Sequence, residues 1–312
     1  MNYIGIQAQQ NRNNMRTVLL LLMFPALILG LTYAFLYLTS STGQTMPQEP
    51  VTDKFIQIAP LIMIGVGAWF LIAYLFNTYI ISSATNSHPL ERLENKRIYN
   101  LVENLCMANG MDMPKINVIE DDSLNAFASG INKKSYTVTL TRGIINRLND
   151  EELEGVIAHE LTHIRNKDVR LLIVSIVFVG IFTFISQMAA RMAYYNSWSS
   201  NKDKNGGNGA AVMMLVIALL AMIGYFFSLL LRFAISRKRE YMADAGAAQM
   251  TKNPVALASA LRKISGNPNV SSVKRDDIAQ LFIEHPAAQG GFAGLFATHP
   301  PIEKRINILE QF

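Results

Sequence analysis

The sequence predicts an α+β membrane protein, with four transmembrane helices in two hairpins and a mostly helical cytoplasmic domain that carries a small β-sheet. Three observations lead there. Of the 312 residues 50% are hydrophobic and 16% charged, and the mean hydropathy is +0.20, whereas a soluble domain carries about 25% charged residues. Four runs free of Asp, Glu, Lys and Arg are each long enough for the hydrocarbon core, which a helix of about 20 residues spans. Between the second and third runs, short extended stretches precede one N-capped, amphipathic helical stretch.

The chain divides on these runs. Residues 1–82 hold a polar tail with Arg12 and Arg16 and a first hairpin, with spans at 17–38 and 55–82. The 17–38 run is too long for the apolar core of a signal peptide and lacks a small-x-small cleavage site, so it is expected to stay as a membrane helix. Pro60 is expected near the start of the second helix, where proline is tolerated. A second hairpin, 171–231, has spans at 171–190 and 210–231, and the third span has no length to spare. The polar stretch 196–209 reads as the loop between them.

Lysine and arginine number 2 in the N-terminal tail, 1 in the first loop, 11 in residues 83–170, 3 in the second loop and 11 in residues 232–312. By the positive-inside rule the tail and both long segments of this multi-pass membrane protein lie in the cytoplasm. Segments 83–170 and 232–312 are then the two halves of one domain. The basic balance reads as membrane topology and not as a nucleic-acid surface. Cys106 is the single cysteine, so no intrachain disulfide is possible and it reads as a small buried hydrophobe.

Within 83–170, Leu90–Ala108 reads as a helix with Gly110 just beyond it. Ile116–Glu120, Leu124–Gly130 and Tyr136–Thr141 read as strands, the last alternating cleanly. Asn149, followed three residues later by Glu152, has the pattern of a capping box. Leu153, Val156, Ile157, Leu161 and Ile164 then recur at helical spacing.

That helix carries the chemistry. His159 and His163 are four residues apart, so both imidazoles leave one face and can share a tetrahedral zinc ion. Glu160 is placed to reach a water on the metal, the His-Glu-x-x-His arrangement of zinc hydrolases. A catalytic zinc takes three protein ligands and leaves the fourth position to water. Glu240 and Asp244, four apart in a stretch rich in small residues (Ala243, Ala245, Gly246, Ala247, Ala248), can supply the third ligand and a partner for His159.

These motifs resemble, in one order, the HtpX family of membrane-bound zinc metalloproteases, relatives of the Ste24 prenyl-protein proteases. The resemblance is carried by His159-Glu160-Leu161-Thr162-His163, by Glu240 with Asp244, by Asn125-Ala126-Phe127-Ala128-Ser129-Gly130 and by Thr298-His299-Pro300-Pro301. It covers nearly the whole chain. It implies a zincin-like (gluzincin) domain with one Zn²⁺ held by His159, His163 and Glu240, and Glu160 as catalytic base. It also implies an inner-membrane endopeptidase in quality control and stress response, acting on unfolded or damaged membrane proteins. Asn125, Ala126 and Phe127 match the edge strand that binds substrate backbone, and His299 with Arg305 resembles the pair that steadies substrate and oxyanion. Leu281–Pro286 echoes Leu295–Pro300, which leaves His285 as a decoy or a second polar group near the cleft. Residues 265–297, rich in Gly, Asn, Ser and Pro, are expected to form a mobile flap.

Two other readings stay open to the residues. Zinc inside the bilayer, as in an intramembrane protease, is disfavoured by Asp150, Glu151, Glu152, Glu154, Arg165 and Lys167 on or beside the metal helix, because each charge in hydrocarbon costs several kcal/mol. A membrane scaffold or transport protein with a structural zinc would need a fourth protein ligand. Cys106, His88, His285 and His299 are the spare candidates, and none has ligand spacing.

Overall fold

In a computed structural model of the chain, the residues described are 6–41, 50–174, 187–188, 191, 222, 237–266, 283 and 300–312. Contacts divide the chain into two compact units, one of Met1–Thr17, Phe76–Ile173 and Arg232–Phe312, the other of Val18–Leu75 and Val174–Leu231.

The second unit contains most of two long helices, α1 (Ile6–Ser41) and α2 (Val51–Thr85). Both are long and apolar enough to cross a membrane, with mean hydropathies of 2.4 and 2.2 over an 18-residue window of each. They pair through edge-to-face rings, Phe24 on Phe70 at 5.8 Å and Tyr33 on Phe55 at 5.4 Å. Leu22, Leu61 and Ile64 face outward, each more than two-thirds exposed, as lipid-facing side chains do. Both helices outrun their apolar stretches because the flanking residues include good helix formers with no breaker among them. One consequence corrects the sequence reading: α2 starts at Val51, so Pro60 lies inside it and not in its first turn. Among the described residues these two are the candidate spans; the expected spans 171–190 and 210–231 fall almost wholly outside them.

The first unit is built on a four-stranded sheet of order β1-β2-β4-β3. Its strands are β1 (Ser87–Pro89), β2 (Lys115–Ile119), β3 (Ala126–Ser129) and β4 (Thr137–Thr141). β2 and β4 run parallel, with Ile116 opposite Val138, while β1 and β3 pair antiparallel at the two edges. β1 was not anticipated: three residues around a proline give no alternation to read. The helix expected from Leu90 begins later, as α3 (Lys96–Ala108), because the Asn95 side chain caps it at the Ile98 amide. Cys106 is buried in α3, and burial, with Asp112 nearby, pushes its thiol up to about 11. An inert hydrophobe is what remains.

After β4 come α4 (Arg142–Arg147), α5 (Asp150–Arg165), α6 (Arg237–Thr251), α7 (Pro254–Ser265) and α8 (Ile302–Leu309). α5 is the central element, packed by α6, α7 and β3, and Leu153, Val156, Ile157, Ala158 and Leu161 on it are fully buried. Two close approaches fix its neighbours. A Cβ on Gly246 of α6 would stand 2.4 Å from Thr162 Cγ2, and one on Gly155 would stand 3.1 Å from Leu257 of α7. Only glycine lets these helices meet so closely.

Candidate metal centre

α5 begins where its sequence says it should. Asn149 Oδ1 accepts from the Glu152 amide at 2.8 Å and Glu152 Oε2 accepts from the Asn149 amide at 3.1 Å, a complete capping box. Glu152 is nonetheless buried, and its carboxylate also takes Ser259 Oγ and Lys263 Nζ from α7, each at 2.7 Å. The cap thus ties the metal helix to its neighbour and holds its start, from which the histidine positions follow by helical repeat.

Nearly three turns on, His159 and His163 leave the same face and meet Glu240 from the first turn of α6. One ligand atom of each lies within 4.8 Å of the others. The two Nε2 atoms are 3.2 Å apart, and the Glu240 carboxylate oxygens stand 3.6 Å from His159 Nε2 and 3.5 Å from His163 Nε2. A tetrahedral zinc with bonds of about 2.0–2.1 Å separates its ligand atoms by roughly 3.3 Å. The spacing fits.

Each imidazole has its second nitrogen committed. His159 Nδ1 is 3.0 Å from Asp244 Oδ1 and His163 Nδ1 is 3.1 Å from Asp168 Oδ2. Carboxylates accept, so both rings carry their hydrogen on Nδ1 and turn the Nε2 lone pair inward. Two lone pairs facing at 3.2 Å need a cation between them. In the metal-free protein a proton serves: burial alone would lower the His159 pKa, but hydrogen bonds to Asp244 and Glu240 reverse this and raise it to about 9. Burial would lift Asp244 as well, yet the Arg305 guanidinium beside it outweighs that and keeps its carboxyl below the usual range.

Glu160 is buried and lines a cavity with His159, His163, Glu240, Ala128 and Val169. Burial pushes its carboxyl upward, against the pull of His159 and His163, and the Ala128 amide donates to it. β3 stands beside this cavity at the sheet edge. The Asn125 carbonyl accepts from the Thr141 amide, so alternation turns the backbones of Asn125 and Phe127 toward β4 and those of Ala126 and Ala128 outward. The outward Ala126 carbonyl accepts from the Ile283 amide at 3.0 Å.

The sequence-predicted residues therefore separate. His159, His163, Glu240, Glu160 and Asp244 come together. Ala126 turns its backbone to the outer side of β3, where its carbonyl takes the Ile283 amide and its amide donates to Asn125 Oδ1, whereas the Phe127 side chain is fully buried. Arg305 stands behind the cluster, with Nη1 3.6 Å from Glu240 Oε2. It is 1% exposed and does not line the cavity, and its Nε and Nη2 donate to the two oxygens of Asp244 at 2.9 and 2.8 Å. His299, His285 and all of 267–299 except Ile283 lie outside the described residues. Three residues were missed. Asp168 orients His163 after a turn at Lys167, whose φ of 60° lies in the left-handed region. Arg239 lines the cavity and donates to the Asp168 carbonyl at 3.3 Å, and Ala128 serves Glu160. For Ala128 the signal was available, since period-two alternation from Ala126 selects it.

The chain was compared with known proteins. The family model described as Peptidase family M48 matches residues 92–312. A Bacteroides fragilis (strain ATCC 25285) protein named "Protease HtpX homolog" is 62% identical over 324 residues, covering 100% of both chains. A protein of the same name from Streptococcus gordonii (strain Challis) is 34% identical over 303 residues, with 96% of this chain and 97% of the other covered. The crystal structure of S. mikatae Ste24p aligns at a TM-score of 0.48 and 20% identity, covering 96% of this chain and 66% of that one.

Proposed function

Because the chain belongs to Peptidase family M48 and is a membrane-bound metalloprotease, we propose that it is a zinc endopeptidase that cuts unfolded or damaged membrane proteins at the cytoplasmic face of the inner membrane. The observation that carries this is the His159, His163 and Glu240 cluster within 4.8 Å, with Glu160 in the same cavity. In this reading one Zn²⁺ is held by those three side chains, with Asp244 and Asp168 fixing the imidazoles. Four spans, with the second pair at 171–190 and 210–231, and a cytoplasmic N-terminus complete it, supported by the placement of basic residues.

The bound metal supplies Lewis-acid polarisation of the scissile carbonyl and acidifies the attacking water. Glu160 takes the proton from that water and passes it to the leaving amine. The substrate runs as an extended strand along β3, taking the place of the Ile283 amide on the Ala126 carbonyl and meeting the Ala128 carbonyl, while Asn125 holds the start of that strand. Arg305 acts through Asp244 and not on the oxyanion, and His299 is left to stabilise the developing negative charge, which for one donor is worth about 3 kcal/mol.

The test uses full-length protein in detergent, stripped by chelation and reloaded with zinc, beside Glu160→Gln. Cleavage of an unfolded protein by the parent alone, at equal zinc content, is the expected outcome. Equal zinc with no cleavage by either protein would sink the proposal.

A further inference from the structure

A helix C-terminus leaves its last backbone carbonyls without partners inside the helix. At the end of α5 they are met by another helix. Gln10 Nε2 donates to the Arg165 carbonyl at 2.6 Å and Asn13 Nδ2 to the Asn166 carbonyl at 2.9 Å. Gln10, Asn13 and Thr17 recur at helical spacing, so α1 lays one polar face on the end of the metal helix just before its apolar run begins. The same Asn13 amide donates its second hydrogen to Asp168 Oδ1 at 2.7 Å. The other oxygen of that carboxylate holds His163 Nδ1. Asn13 is fully buried, and Asp168 is nearly so.

We propose that Asn13 is a positioning residue of the metal centre. It pins one oxygen of Asp168, so that the other stays in line with His163 and the imidazole keeps Nε2 aimed at the metal. Arg239, in loose contact with the same carboxylate at 3.6 Å, reaches it from the opposite chain segment. The first membrane helix is thereby part of the site and not an anchor alone. This rests on His163 being a metal ligand, as in the function proposed above.

Full-length protein is purified in detergent, and zinc affinity is measured by competition with a chelator, alongside the visible spectrum of the cobalt-loaded protein. Outer partners of ligands typically change metal affinity by about 10–100-fold; Asn13, one step further out, is expected to give about tenfold in Asn13→Ala. Asn13→Asp, of nearly equal volume, removes both donated hydrogens and sets a carboxylate against Asp168, and is expected to weaken zinc at least as much and to shift the cobalt bands. In an Asp168→Ala background Asn13→Ala should have no further effect, because its route to the metal is gone. Parent-like affinity and spectrum in both Asn13 variants, or an equal loss with and without Asp168, would overturn the proposal. His163→Ala separates the two claims, since unchanged zinc affinity there would remove the metal-site reading itself.

Discussion

At the scale of single residues the site is a contest between a proton and a metal for the same lone pairs. His159 holds its proton to about 9 when no metal is present, above the ordinary histidine value. Metal binding must expel that proton, so affinity should rise about tenfold per pH unit as pH climbs toward 9 and flatten above it. Chelator competition from pH 6 to 10 reads this directly, and a flat profile over that range would contradict it. Asp244→Asn replaces the carboxylate that orients the His159 ring and strengthens it as a ligand by a neutral amide, and should cost about 10–100-fold in affinity above pH 9, where no proton competes. The histidine pair and Glu160 were legible because one helical turn is a local relation. Asp168 was not, because its return onto His163 depends on the left-handed turn at Lys167. Asn13 lies 155 residues from its carboxylate partner, and no spacing rule spans that gap.

Individual elements show how the ligands are kept in register. α6 brings Glu240 and Asp244 only because Gly246 lets it lie against Thr162. Gly246→Ala places a methyl group where no space exists, and such overpacking costs about 1–3 kcal/mol. The thermal midpoint should fall, and metal affinity should fall with it as α6 is pushed from α5; a variant that is less stable but binds metal normally would show that the two are not linked. At the other end of α5, Glu152→Ala removes half the capping box and the bonds to Ser259 and Lys263 together. Loss of about 2 kcal/mol is expected in chemical denaturation. The capping box was readable because it is four residues of local sequence. The links from Glu152 to α7 were not, since Glu152 looks like any acidic residue in a first turn until the fold buries it.

For the whole molecule, the proposed orientation rests on charge placement and can be tested with the protein's own chemistry. Cys106 is buried and its thiol is held well up, so it is a silent background for labelling. Leu93, 87% exposed in the first unit, is a suitable reporter. Leu93→Cys should react with a membrane-impermeant maleimide in inverted vesicles and stay unlabelled in intact cells. Labelling of intact cells would place the catalytic unit outside. The two apolar helices of the first hairpin were legible from composition, because lipid imposes a length and a chemistry that no soluble helix needs. The sheet order was not, since β2 pairs directly with β4, past the β3 that lies between them in sequence and takes the edge.

The side chains that build and brace the site are scattered along the chain. Asn13 comes first, His159 and His163 follow, Glu240 and Asp244 come after the second expected hairpin, and Arg305, which grips Asp244, comes later still. Translation delivers them in that order. A ribosome partway through the message holds two histidines with no third ligand, and even at residue 244 the aspartate lacks its guanidinium. A copy that ends before residue 240 therefore carries the two histidines without the third side chain of the cluster.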